Sequence, residues 1–425
     1  MTAHAPATGS LTDYMGLPVG AGSVTANALH TRAYNLIWNQ WFRDENLQDS
    51  VIVDIDDGPD AIADYVLLKR GKRHDYFTSC LPWPIKGTEA TLSLGTSSPV
   101  IGNGEALGLT DGTTNVGVFQ DATTVTCLNS KAGFFGSTVG FGTNTGASPA
   151  SYVGLGVATH ALHSGLKADL SAAIGPTVNS FRETIYLQHL LERDARGGTR
   201  YCELIRSHFN VNDPMSAVLQ RPEYIGGGSS IIGITPIPQT SESSTTKQGT
   251  LAAVGFHSQS GIGFSKSFTE HGVIIGLASV RADLTYQRGL RRMWSRQTRE
   301  EFYFPSLAHL GEQAVLNQEL FHQGTSADTE AFGYNERWSE LRHGYNHITG
   351  ILRSDATGTP LDEWHLSQDF GTLPTLGSDF IEENPPVSRV VAVPSEPEIV
   401  FDGYFDIKCA RVMPTFSIPG LGTTL

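Results

Sequence analysis

The chain has 425 residues, 39% hydrophobic and 17% charged, which describes a globular protein with a sizeable core and excludes a disordered one. A formal charge of −14 excludes a uniformly basic surface made for nucleic acid, so any such contact must be local. The 46 glycines and 21 prolines favour turns and long connections, hence a mainly β chain. Cys80, Cys127, Cys202 and Cys409 are scattered, with no C-x-x-C spacing, and read as reduced thiols rather than as a zinc site or a disulfide framework.

The first thirty residues lack a basic start followed by an apolar run, so no secretory signal is expected. From Thr31 to Phe42, Tyr34, Ile37, Trp38 and Trp41 fall at i, i+3, i+4 and i+7, which predicts an amphipathic helix over 31–43 with Thr31 as its N-cap. Large aromatics at this spacing point to core or subunit interface more than to a ligand box.

Between Thr88 and Pro176 the composition changes: fifteen glycines, many Ser and Thr, and only seven charged residues. Such tracts are often linkers. Here Val116, Val118, Phe119, Val125, Phe134, Phe135, Val139, Phe141 and Tyr152 supply too much apolar bulk for one, and predict an ordered, loop-rich projection that packs against copies of itself. The expected organisation is therefore 1–87, an insertion over 88–176, and 177–425. Ser180 and Glu183, spaced as a capping box, open a helix carrying Phe181, Ile185, Leu187, Leu190 and Leu191, which Gly197 and Gly198 close.

The stretch from Gly226 to Gly249, with GGGSS, alternating Ile-Pro and SESSTT, reads as a meandering loop. GVIIGLASVRADLTY at 272–286 is apolar at both parities and predicts a strand buried on both faces. Its apolar core, 272–280, is far short of the roughly twenty residues of a membrane-spanning helix, so no membrane insertion is expected. Near the C-terminus Ile399, Phe401, Phe405 and Ile407 alternate with Glu398, Asp402, Asp406 and Lys408, the pattern of a strand with one wet face.

No nucleophile elbow, phosphate loop, dinucleotide fingerprint or H-E-x-x-H is present, which lowers the prospect of an enzyme. His74 beside Asp75 and Glu270 beside His271 point to opposite faces of an extended chain and form no dyad by themselves. His309 and Glu312, at i and i+3 on an expected helix (LAHLGEQAVLNQEL), could touch one metal, but no second pair follows; neither metal nor cofactor is expected.

The remaining constellation is basic. Arg281, Arg288, Arg291, Arg292, Arg296 and Arg299 interleave with Tyr286 and Trp294, and a shorter group runs Lys69, Arg70, Lys72, Arg73. Guanidinium groups among rings suit phosphates and unstacked bases of single-stranded nucleic acid. They equally suit a subunit interface, where Arg is enriched. Tyr34, Trp38, Trp41 and Trp294 are the matching core or interface aromatics.

Long irregular strings resemble a known family: RAYNLIWNQWFRDENLQD (32–49), RGKRHDYFTSCLPWP (70–84), RDARGGTRYCELIRSHF (193–209), QRPEYIGGGSS (220–230), GFSKSFTEHGVIIGL (263–277), HLGEQAVLNQEL (309–320) and FIEENPPVSRVVAVPSEPE (380–398). In this order they resemble the major capsid proteins of the Microviridae, the gokushovirus branch above all. The resemblance implies an eight-stranded antiparallel jelly roll with long loop insertions and a few helices. It also implies a T=1 icosahedral virion of about sixty copies around circular single-stranded DNA, assembled in the bacterial host cytoplasm. Its implied partners are further copies, the packaged DNA, a small basic DNA-packaging protein, other virion proteins and a host surface receptor, reached by a threefold projection built from 88–176. Family members begin well upstream of RAYNLIW with strands that help build the barrel, so either those strands are missing here, which would leave an unpaired edge, or an alternative start is used, or another segment completes the sheet. The rival reading is a β-rich carbohydrate-binding or fibre protein, which a fixed-period repeat would support; none is found.

Overall fold

The computed structural model describes residues 1–92, 176–212, 221–244, 247–249, 251–391 and 395–411, and the backbone of five short strands between 100 and 168. Its chain divides into two compact units, one of residues 1–86 with 192–425, the other of residues 87–191.

The first unit opens with α1 (Leu11–Tyr14), capped by Ser10, and α2 (Leu29–Ile37), which continues as a wider helical turn over Trp38–Phe42 closed by Arg43 N to Trp38 O at 3.0 Å. The helix starts earlier than the sequence predicts. Ala28 is the capping residue, and Thr31 lies inside the helix, buried, with its hydroxyl donating back to Ala28 O at 2.9 Å. Polar residues of the RAYNLIW string anchor the following loop: the fully buried Asn35 donates to Ile52 O and Asp64 O, both at 2.9 Å, and Asn39 pairs with the Val51 backbone. Met1, Leu11, Tyr34 and Tyr65 form a small core beside this helix.

In the second unit β1 (Val100–Gly102) pairs antiparallel with β5 (Leu166–Ala168), and β2 (Leu107–Thr110) lies between β3 (Asn115–Gly117) and β4 (Gly154–Val157). Val118, Phe119, Val125, Phe134, Phe135, Val139, Phe141 and Tyr152, and also Cys127, lie outside the described residues. Helix α3 (Val178–Arg196) is capped by Thr177, whose hydroxyl accepts Ser180 N at 3.1 Å; Ser180 is inside the helix and not its cap. It ends as expected, with Gly197 N on Arg193 O and Gly198 at φ +87°.

The rest of the first unit is made of short elements. They are α4 (Tyr201–Phe209), the hairpin β6 (Gly233–Pro238) with β7 (Leu251–Phe256), β8 (Thr285–Tyr286), α5 (Arg292–Ser295), β9 (Glu312–Leu316), α6 (Asn317–Leu320), β10 (Ala331–Glu336), α7 (Ser339–Arg342), β11 (Asn346–His347) and α8 (Ser378–Ile381). β9 pairs antiparallel with β10, and β8 pairs parallel with β11.

The main core gathers Tyr76, Phe77, Cys80, Tyr286, Val315, Leu320, Phe321, Phe332 and Phe380. Phe77 meets Tyr286 edge-on at 4.7 Å between centroids and Tyr345 at 4.7 Å. A tight turn delivers these rings: Asp75 accepts the amides of Phe77 (2.9 Å) and Thr78 (2.8 Å), an Asx turn that aims both aromatics inward. Gly333 is required where β10 crosses this core, since a Cβ there would stand 2.8 Å from Cys80 Cβ and from Leu376.

Several expectations are corrected. The segment 309–320 is a strand followed by one helical turn, because Gln313 to Leu316 find a ladder with β10; His309 and Glu312 do not share a helix. Six residues of the expected loop over 226–249 are strand β6, since Ile-Pro alternation still permits pairing on one edge. Among the described residues the predicted strands 272–286 and 398–408 form no ladder apart from Thr285–Tyr286. Instead of being buried on both faces, Val273, Ile274, Leu277 and Val280 are 36 to 58% exposed. Five two- or three-stranded sheets are found among the described residues, and no closed barrel.

Candidate assembly and nucleic-acid surface

The fold joins the two basic groups read from the sequence. Burial, with the neighbouring positive charges as a smaller cause, lowers the pKa of Arg70, which stands near Arg281 and Arg73, and of Arg281, which stands near Arg73; Glu383 partly opposes both. Arg70 donates to Ser279 Oγ at 2.9 Å and lies 5.0 Å over the Phe42 ring. Arg73 is exposed and reaches Asp283 at 3.3 Å across an open surface, while Lys69 donates to Asn384 Oδ1 at 3.2 Å. Chain segments more than two hundred residues apart thus supply one cationic patch, which no local spacing could reveal.

Lys72 is different. It is 8% exposed, donates to Gln368 Oε1 (2.7 Å) and Phe380 O (2.5 Å), and sits 4.8 Å from the Phe380 ring. Burial pulls its pKa down to about 8. It holds the 70–84 string onto α8 and is not available to a polyanion.

The arginines between 288 and 299 separate in the same way. Arg288 pairs with Asp355 at 3.1 Å and lies over Phe321; Arg292 approaches Glu319 at 3.5 Å and donates to Ala314 O at 3.0 Å; Arg296 pairs with the largely buried Glu340 at 2.9 Å. Arg291 donates to Tyr345 O at 3.2 Å with its guanidinium 5.2 Å over that ring, and Arg299 lies over Phe304; both remain exposed.

Of the four aromatics, Tyr34 and Trp38 are core: Tyr34 Oη accepts Leu68 N at 3.0 Å and Trp38 Nε1 donates to Lys69 O at 2.9 Å. Trp41 is half exposed, donating to Pro222 O with Arg221 4.3 Å over its ring, and Trp294 is 71% exposed. Sequence reasoning missed the network in which Asp60 takes Arg32 Nε at 2.6 Å and the Tyr65 hydroxyl, and it missed the buried Glu319; neither has a spacing signal.

Two described segments carry runs of exposed apolar side chains. Ile262, Phe264, Phe268, Ile274 and Leu277 are 44 to 58% exposed, and Val400, Phe401, Tyr404, Phe405 and Ile407 are 70 to 93% exposed. Isolated exposed hydrophobes are ordinary; long runs of them mark an interaction surface.

A family model described as "Capsid protein (F protein)" matches residues 2–421. The chain belongs to that capsid protein family. Similar curated proteins include capsid protein VP1 of Bdellovibrio phage phiMH2K, 43% identical over 98% of this chain and 78% of the relative. Capsid protein VP1 of Chlamydia phage 1 is 39% identical over 97% and 77%, and that of Spiroplasma virus 4 is 36% identical over 97% and 76%. The resemblance to gokushovirus capsid proteins carried by the long strings is thereby borne out. A capsid protein of this family is structural, not an enzyme, and its surface is to be understood as contact area. No helix among the described residues is long and apolar enough to cross a membrane.

Proposed function

We propose that this chain is the major shell subunit of a virion, closing as a T=1 icosahedron of about sixty copies around circular single-stranded DNA. The exposed apolar runs over 262–280 and 399–407 carry the reading, because a subunit that functioned alone would bury them. In the shell these segments become strands of an eight-stranded jelly roll, with ladders completed by assembly. Individually weak contacts at several symmetry axes act together, so avidity stabilises the particle while single contacts stay reversible.

The insertion 88–176 forms the threefold projection and meets the host receptor; the cationic patch of Lys69, Arg70, Arg73 and Arg281, with exposed Arg291 and Arg299, faces the genome. The charge of −14 requires other cations for most phosphates, supplied by a small basic packaging protein or counterions. Assembly takes place in the host cytoplasm with the other virion proteins. Electron microscopy of the expressed chain tests this reading: closed particles with threefold knobs are expected, and a soluble monomer overturns it. Particles lacking 88–176 should form but fail to attach; normal infection by them removes the receptor role.

A further inference from the structure

The hairpin β6–β7 has two unlike edges. In an antiparallel ladder opposite residues alternate between hydrogen-bonded and non-bonded pairs, and only the bonded ones turn their N–H toward the partner. Pro236 and Pro238 have no N–H, so they occupy non-bonded positions opposite Ala253 and Leu251. The β6 outer edge is therefore blocked by two prolines. On β7 the same parity turns the amides of Leu251, Ala253 and Gly255 outward, and this edge, LAAVGF, carries neither proline nor charge. Natural sheets protect open edges with such devices, and β7 has none.

The same unit contains a segment with strand periodicity in its sequence and no ladder among the described residues. Over 398–408 Ile399, Phe401, Phe405 and Ile407 share one parity with apolar side chains 49 to 76% exposed, and Val400 and Tyr404, on the other parity, are more than 90% exposed. Among the described residues neither donor nor acceptor has a partner strand, and 398–408 does not lie on its own β7.

We propose that residues 398–408 of one copy add as a third strand to the β7 edge of a second copy. This rests on the shell reading above and names one of its contacts. The match is in period and length: the nine residues from Ile399 to Ile407 exceed the six of β7, and their alternation lays one apolar row on the apolar hairpin while Asp402 and Asp406 stay in water. Because donor and acceptor are different surfaces, the contact is heterologous. It propagates around a ring and closes at a threefold or fivefold axis, and it cannot satisfy itself in a twofold dimer except by reciprocal exchange.

Hydrogen exchange read at residue resolution tests the contact on the unsubstituted chain. On assembly the amides of Leu251, Ala253 and Gly255 should slow by at least tenfold, whereas those of Ala252, Val254 and Phe256, already bonded to β6, should change little. Unchanged exchange at the three outward amides in intact particles overturns the proposal while leaving the shell reading in place; failure of the unsubstituted chain to form particles overturns both. A photoreactive benzoyl group at Phe405, in particles assembled from equal amounts of light and heavy-isotope subunits, should give mixed-isotope cross-links to 251–256. Links of a single isotope only would place the strand on its own chain and likewise overturn it.

Discussion

Arg292 Nη1 lies 3.5 Å from the Glu319 carboxylate, which is itself 2% exposed and accepts the Tyr76 hydroxyl at 2.8 Å. An arginine that the sequence offers to a phosphate is thereby committed to the core of its own subunit. Burial raises the Glu319 pKa, and Arg292, the Leu316 amide and the Tyr76 hydroxyl pull it back, so losing the guanidinium leaves an uncompensated buried acid. Arg292→Glu should destabilise the subunit by roughly 3–5 kcal/mol, against less than about 0.5 kcal/mol for Arg299→Glu at an exposed position. Urea unfolding of the two variants measures the contrast, and equal losses would refute it.

The cationic patch predicts a different outcome. Arg73 pairs with Asp283 across a surface where both are more than half exposed, so the pair contributes little to stability. Arg73→Glu combined with Arg281→Glu should lower the DNA content of particles more than their yield. Subunit binding to single-stranded DNA should lose about 0.7 of its log–log salt slope for each phosphate contact removed. Equal loss of DNA and of shells would assign these residues to a subunit interface instead.

Asp60 is held at a pKa of about 2, first by the Arg32 hydrogen bond and then, against burial, by the Tyr65 hydroxyl. An unfolded aspartate takes up its proton near pH ~4. Its stabilisation is therefore complete above that value and is lost as pH falls through about 2. Melting temperatures of the unsubstituted chain should drop across that window, and Asp60→Asn should flatten the drop while lowering stability at neutral pH.

Lys72 gives a slope of the same sign at alkaline pH, but there it is a burial penalty that is relieved as the ammonium loses its proton. With its pKa depressed to about 8 by burial, the unfolded chain binds the proton more tightly between pH 8 and ~10.4, so its contribution to stability grows as pH rises over that interval. Lys72→Met should remove this slope; a slope that persists in denaturant titrations would assign it to another group.

Phe77 is fully buried among rings and Trp294 is 71% exposed. Phe77→Ala should cost the subunit about 3–5 kcal/mol. Trp294→Ala should leave subunit unfolding unchanged and weaken assembly, as read by particle yield, if its ring is covered by a neighbouring copy.

Local features that rest on one stretch of chain were legible beforehand: the helix around Tyr34 and Trp38, the helix closing at Gly197 and Gly198, and the apolar bulk of the family strings. Boundaries set by a tertiary partner were not. Thr31 and Ser180 have the side chains of N-caps, yet in both helices the backbone starts earlier and those hydroxyls bond back to Ala28 O and Thr177 O. The strand Glu312–Leu316 looks helical by period because its ladder with β10 is non-local. Residues 272–280 and 399–407 have strand patterns but lie unpaired in the single subunit, since a ladder needs a second strand.

By itself the sequence determined what kind of protein this is: ordered strings too long to coincide by chance, an acidic and glycine-rich composition, and no catalytic spacing. Tertiary structure decided which basic residues remain free. It turned Lys72, Arg288, Arg292 and Arg296 toward carbonyls and carboxylates of their own chain, and it drew Arg70, Arg73 and Arg281 into one patch. The physical reason is range: a pattern along the chain records which faces are apolar, whereas the partner of a charge is chosen by the folding of segments hundreds of residues apart.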